Sequence, residues 1–434
     1  MTLEQPPKTL RIYTIIWLGQ TASLIGSNMT SFALLIWAWQ RTGEATPLAL
    51  LSFFMQVPII IASLFAGILV DRYSRKRIMM MGDIIAAICT LVILILFLTN
   101  QLAIWHLYLI GVFVGLFGYF QGLAFSTSQS LLVPKQHYIR VGAMGSMQTF
   151  GSGVLAPALA GVLYPIVGLR GILIIDLMTF SVALATLARV QIPQPSPVGH
   201  AENPWQQLTF GFRYLIQRPS LMGLQLFAMS FIFFDSLSAV STAMILARSN
   251  NNTSVLGSVE GAVGLGGLTG AVLLGLWGGP KRRIHGLLIG RAIVFSFEML
   301  LGLMRLPSIW IGANFAAGLF KPLANSCEET IWISKVEPSV QGRVFAANWF
   351  LISIISSLGL LLAGLLADFV FEPVMKSGGL LAPILGNVFG TDRGSGMALQ
   401  FALFSFIVVL ICLGSYAFSP LRNIEKILPD HDVG

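Results

Sequence analysis

Seven ionisable side chains, Asp235, Glu260, Arg291, Glu298, Lys321, Glu328 and Glu329, stand inside stretches that are otherwise apolar. A charge in a hydrocarbon setting costs about 2.5–3.5 kcal/mol, so each is a candidate for function. Asp235 precedes Ser238, Ser241 and Thr242, which fall on an overlapping face of a helix. Lys321 shares a stripe with Asn325 and with Glu328 or Glu329. An acid and an ammonium held in one apolar surround can switch protonation, because burial opposes the charge that the partner favours. A static ion pair between Asp235 and Lys321 is the other reading. Arg291 and Glu298 are seven residues apart, hence on one face, and read as a structural pair. Glu260, among Gly257, Gly261 and Gly264, reads as a gate residue or as one reaching the outer interface. Asp83 and Asp176, near the ends of apolar runs, read as structural. The five histidines fall in or near loops and receive no role.

The elements that hold these charges are set by composition. Of 434 residues, 55% are hydrophobic and 10% charged, where an ordinary soluble domain has about a quarter charged. In water such a chain would expose large apolar patches. Lipid removes that problem but requires every backbone polar group to be satisfied internally, by helices or a closed barrel. The apolar runs are about 20 residues long, the length of a spanning helix rather than of a barrel strand. Spans are expected at 12–39, 47–70, 78–98, 103–129, 141–166, 169–190, 220–247, 254–278, 285–304, 308–334, 341–367 and 397–418.

The proline-rich connection 191–219 divides these spans six and six, giving bundles over 1–190 and 220–434. A second long connection, 368–396, holds an apolar stretch from Gly378 to Gly390 that is too short to span and suits the outer membrane surface. With the N-terminus inside, inner segments carry 18 Lys and Arg and outer segments 6. The positive-inside rule then places both termini in the cytoplasm. It also accounts for the net charge of +8 without nucleic acid. Residues 1–9 show no removable signal peptide. The halves echo each other: residues 159–163 match 362–366, Gly82-Asp83 falls opposite Gly290-Arg291, and Asn28 opposite Asp235. Offsets of 203–208 suggest a duplicated six-helix unit, an arrangement in which transporters hold substrate near the midplane.

Between spans 2 and 3 the chain reads Gly67-Ile-Leu-Val-Asp71-Arg72-Tyr-Ser-Arg75-Lys76-Arg77. This resembles the signature loop of the major facilitator superfamily, with Ser74 in place of the second glycine. Gly19-Gln20 through Ser23-Leu-Ile-Gly26, and Pro338 followed by Gln341-Gly342-Arg343-Val344-Phe345-Ala346, are similar to its drug, macrolide and siderophore export branch. Span 5 carries Ser152, Ala156-Pro157 and Ala160-Gly161, similar to the exporters' antiporter motif and equally an ordinary kinked packing helix.

The resemblance implies an all-α transmembrane fold of twelve helices in two pseudo-symmetric six-helix bundles, with 191–219 as a cytoplasmic linker. It implies a secondary transporter in the cell membrane, exporting amphiphilic small molecules by alternating access with proton coupling. Spans 1, 4, 7 and 10 would line the cavity, and Asp71 would meet the start of span 11 near Arg343 as an inner gate. Two charges usual in relatives are missing: Gly118 stands where span 4 has an Arg, and Ser27 where span 1 has an Asp. Coupling is therefore expected in the second half, on Asp235 with Lys321, with Glu328 and Glu329 passing protons inward. Expected partners are a small amphiphile, protons and the bilayer, and the working unit a monomer. Lipid or lysolipid translocation and solute symport remain the rival transport readings.

Nothing calls for a cofactor or a metal: Cys89, Cys327 and Cys412 are far apart. No lysine follows a glycine, which excludes a phosphate-binding loop of the Gly-Lys-Ser/Thr kind, and no His-Glu-x-x-His or nucleophile–base constellation favours an enzyme.

Overall fold

The computed structural model describes residues 10–134, 138–192, 204–337 and 340–428; the side chains of 64–72, 130–131, 138–140, 142–143, 146, 150 and 204–208 lie outside that description. The described residues are helical with short connections. They fall into two compact units, Met1–Arg41 with Leu51–Ala201, and Thr42–Leu50 with Glu202–Gly434.

The first unit is built from α1 (Leu10–Thr42), α2 (Ala45–Arg72), α3 (Arg75–Leu98), α4 (Ile104–Leu132) and α5 (Tyr138–Arg189). α5 is two spans in one: Gly168, at φ 63°, breaks its helical backbone, a conformation that glycine adopts without a Cβ penalty. Tyr13, Ile16, Met79 and Leu187 form a fully buried core. α1 crosses the second half of α5 closely, since a Cβ at Gly19 would strike Thr186 and one at Gly26 would strike Thr179. Small residues of this kind let spanning helices approach where lipid offers no hydrophobic drive.

The second unit contains the first turn of α2, the linker helix α6 (Pro204–Ile216), α7 (Pro219–Leu237), α8 (Ser241–Arg248), α9 (Thr253–Trp277), α10 (Arg283–Leu303), α11 (Pro307–Lys335) and α12 (Gln341–Leu366). It ends with α13 (Glu372–Met375), α14 (Ala382–Phe389), α15 (Ser395–Gly414) and three further short helical turns. Leu221, Leu224, Leu287, Phe295 and Val408 lie at its core. A Cβ at Gly266 or Gly270 of α9 would collide with the α11 backbone at Phe315 and Leu319, so these two helices touch main chain to main chain.

Ten helices among the described residues are long and apolar enough to cross a membrane. Dividing α5 at Gly168 and adding the 29-residue α11 brings the spans among the described residues to twelve.

Three segments differ from the sequence expectation. The stretch 220–247 is not one helix: α7 ends at Leu237 and α8 starts at Ser241. Asp235 therefore does not share a continuous helical face with Ser241 and Thr242. The physical reason is a set of local alternatives to the helical ladder. The Ser238 hydroxyl bonds back to the Phe234 carbonyl at 3.1 Å, as serine tends to do. From α15, Gln400 donates to the freed Leu237 carbonyl at 2.9 Å and to Ala363 at 2.9 Å.

Next, α12 does not stop at 367 but continues through a π turn, Ala367–Phe371, into α13. The connection 368–396 then supplies helix caps rather than open loop. Asp368 accepts from the amides of Ala45 (2.9 Å) and Thr46 (2.7 Å) at the start of α2. Glu372 accepts from Gly394 (3.3 Å) and Met397 (3.0 Å) at the start of α15. Carboxylates there satisfy amides that have no partner within their own helix. Finally, the linker 191–219 contains α6, which lies on α12 with Gly211 against the Arg343 carbonyl.

Candidate functional site

The intramembrane charges of the second unit meet as a ladder between α10 and α11. Arg291 Nη2 lies 3.0 Å from Glu328 Oε2, and Lys321 Nζ lies 2.9 Å from Glu298 Oε1. Arg291 precedes Glu298 by seven positions on α10, as Lys321 precedes Glu328 on α11. In an antiparallel pair this spacing makes two rungs about 10 Å apart. Gly290, with Ala324 as its nearest neighbour, lets the helices come close enough to form them. The Arg291 guanidinium also lies over the Phe231 ring at 4.5 Å, a favourable use of the ring face.

This corrects both expected pairings. Arg291 does not pair with Glu298, because two turns along one helix is too far for direct contact. Lys321 binds Glu298 rather than Asp235. Asp235 forms no ion pair among the described residues and lies within electrostatic reach of Glu298, Lys321 and Arg291. Glu260, on α9, feels Lys321 and Glu298 in the same way. Four carboxylates thus surround two cations in one unit, and Asp235 and Glu260 are left outside the direct pairs.

A pocket of about 440 Å³ opens beside the Arg291–Glu328 rung, lined by Asn325, Glu328, Glu329, Trp332, Ile333, Phe345, Asn348 and Trp349. Its residues recur at intervals of three and four on α11 and α12, the helical signature of two facing stripes.

The first unit is polar in a different way. Asp83, fully buried, accepts from Gln20 Nε2 at 2.9 Å and from Gln121 Nε2 at 2.5 Å. Asp176, also buried, accepts from the hydroxyls of Thr30 (2.9 Å), Thr90 (3.0 Å) and Ser27 (3.3 Å). It borders a cavity of about 170 Å³ whose other walls are mainly apolar. No Lys or Arg among the described residues pairs with either aspartate. They sit inside the bundle, tying α3 to α1 and α4, and α5 to α1 and α3.

The signature loop divides into two parts. Gly67, Asp71 and Arg72 lie outside the described side chains. Arg75 is buried and donates to the Thr127 carbonyl at 2.7 Å, and Lys76 donates to carbonyls at the end of α5 and just past it, Ala188 at 3.0 Å and Val190 at 2.7 Å. A cation at a helix C-terminus satisfies its open carbonyls. Arg77 is exposed. Arg343 lies with its guanidinium 5.1 Å from the Phe210 ring centre of α6. In α5, Ser152, Ala156, Ala160 and Gly161 are buried and Pro157 is half-buried.

The profile of the Major Facilitator Superfamily matches residues 16–360. The chain belongs to the major facilitator superfamily. It is 29% identical over 368 residues to macrolide efflux protein A of Streptococcus pyogenes, covering 83% of this chain and 90% of the relative. It is 23% identical over 343 residues to the enterobactin exporter EntS of Salmonella typhi, covering 78% and 81%. Among solved structures, a bacterial homologue of the human lysosomal transporter Spinster matches with TM-score 0.69 at 16% identity, over 97% of this chain and 99% of the other. The nucleoside transporter NupG matches with TM-score 0.69 at 12% identity, over 93% and 100%. These likenesses show the fold, and with the family they make this a multi-pass membrane transporter.

Seen as a superfamily repeat, the two units carry opposite chemistry at matching places. Asp83 and Gln121 bridge α3 and α4; 208 and 207 positions on, Arg291 and Glu328 bridge α10 and α11. The first rung is a carboxylate held by amides and the second a salt bridge. Sequence reasoning missed Gln20, Gln121 and Gln400 as structural donors. The repeat offset carries Gln121 onto Glu328 and was the one signal for it.

Proposed function

We propose that this protein is a secondary exporter of amphiphilic small molecules, driven by protons through alternating access, with both termini in the cytoplasm of a cell-membrane protein. The observation that carries this reading is Asp235 beside the charge ladder yet outside its two ion pairs. A carboxylate held in a fixed pair has little reason to exchange its proton, whereas one next to a ladder can gain or lose a proton and shift the local balance of charge. Differential substrate binding between those two states is what coupling requires. In this scheme outside protons reload Asp235 after substrate leaves, and inward release restores substrate binding. Glu260 is the second such group. The efflux names of the two relatives favour the outward direction. The signature segment Gly67–Arg77, with Arg343, serves as the inner gate, and 1–190 and 220–434 move as bundles about the 191–219 linker.

The test is transport in proteoliposomes under an imposed pH gradient. Asp235→Asn should abolish gradient-driven export while leaving substrate binding in place. Wild-type, gradient-dependent export by that variant would remove Asp235 from the coupling role.

A further inference from the structure

We propose that the pocket between α11 and α12 is a capture site for lipophilic organic cations, with Glu329 as the charge that selects them. The proposal deepens the exporter reading and rests on it for direction only, since binding at this pocket stands on its own geometry.

Charge comes first. The titratable groups in the described wall are Glu328 and Glu329, and no Lys or Arg lines it. Glu328 is committed: Arg291 holds it at 3.0 Å, and both side chains of that pair are largely buried. Glu329, one position on, points about 100° away around the helix. It is exposed, and no ion pair among the described residues engages it. The pocket therefore carries one negative charge not matched by its own walls.

The wall around that charge is aromatic. Trp332 lies one turn beyond Glu329 on α11, and Phe345 and Trp349 are four apart on α12. The Trp332 and Phe345 rings meet edge to face with centroids 6.4 Å apart. Aromatic faces attract cations through their quadrupoles and accept an apolar body without a polar penalty.

Size agrees with these signs. About 440 Å³ lies within the range of small-molecule sites, roughly 300–1,000 Å³. A neutral polar solute would leave the charge unmatched, an anion would be repelled, and a compact inorganic cation would leave the aromatic surface bare. A cation with an apolar body meets both. The pocket sits where α11 ends and α12 begins, next to a connection that the positive-inside count places in the cytoplasm. An exporter would load there.

Equilibrium dialysis of radiolabelled tetraphenylphosphonium against purified protein in nanodiscs, corrected with empty nanodiscs, measures the site directly. Uncharged triphenylphosphine oxide serves as competitor. Wild type should bind the cation, and the oxide should compete at least tenfold more weakly than unlabelled cation. Glu329→Gln should weaken cation binding at least tenfold, while Glu329→Asp should retain it within a few fold. Trp349→Leu should weaken cation and oxide alike. Equal cation affinity in wild type and Glu329→Gln, or equal competition by the oxide, would overturn the proposal. Export of an uncharged amphiphile by a protein without cation preference would sink this proposal and leave the exporter reading intact. Glu329-dependent cation binding in a protein that transports nothing would support the site and overturn that reading.

Discussion

Lys321 and Glu298 would lose different things if the other were removed. The Lys321 side chain is 40% exposed and Glu298 is 10% exposed. Without Glu298, Lys321 still has the carboxylates of Asp235 and Glu260 within electrostatic reach, so its charge is not left uncompensated. Without Lys321, Glu298 is a buried carboxylate with no counter-ion, a situation that costs about 3–5 kcal/mol. Lys321→Met should therefore destabilise the protein clearly more than Glu298→Gln, and the double variant should recover much of the loss. Thermal unfolding in detergent, read as shifts in apparent Tm for the three variants, checks the order. Equal losses in the two single variants would mean that the rung is not desolvated on the acid side. The same reasoning explains why Asp83 and Asp176 are tolerated without cations: amides and hydroxyls fill their lone pairs.

At the scale of elements, the break between α7 and α8 depends on a donor from elsewhere. Gln400 closes the carbonyls of Leu237 and Ala363 with one amide group. In lipid no water can replace it, and each open buried carbonyl costs about 1–3 kcal/mol. Gln400→Leu should lower both the yield of folded protein and its thermal stability. If Gln400→Leu is as stable as wild type, the break is set by α7 itself and not by α15. The caps at Asp368 and Glu372 belong to the same scale, since one segment between α12 and α15 fixes the starts of two spans. α14 shares that segment, and its neighbourhood leaves Leu380 81% and Ile384 72% exposed, as suits a short helix resting on lipid headgroups.

For the whole molecule, the bias of 18 inner against 6 outer Lys and Arg sets the expected topology. Single cysteines in 191–219 should react only from the cytoplasmic side and those in 368–396 only from outside, in a background lacking Cys89, Cys327 and Cys412. Labelling of both segments from the same side would refute twelve spans with both termini inside. The family and the all-helical membrane fold were readable from sequence because hydropathy, loop charge and the signature loop are properties of neighbouring residues. The i and i+7 spacing likewise put Arg291 with Glu298, and Lys321 with Glu328, on common faces. What sequence could not decide was which residues meet. Arg291 reaches Glu328 across 37 positions and Gln400 reaches Leu237 across 163. Such pairings follow from helices packing against each other, and only the tertiary structure sets which faces meet and at what register. A span's polar groups can be listed from its residues, but in lipid their partners are supplied by other spans, and that choice is made by packing.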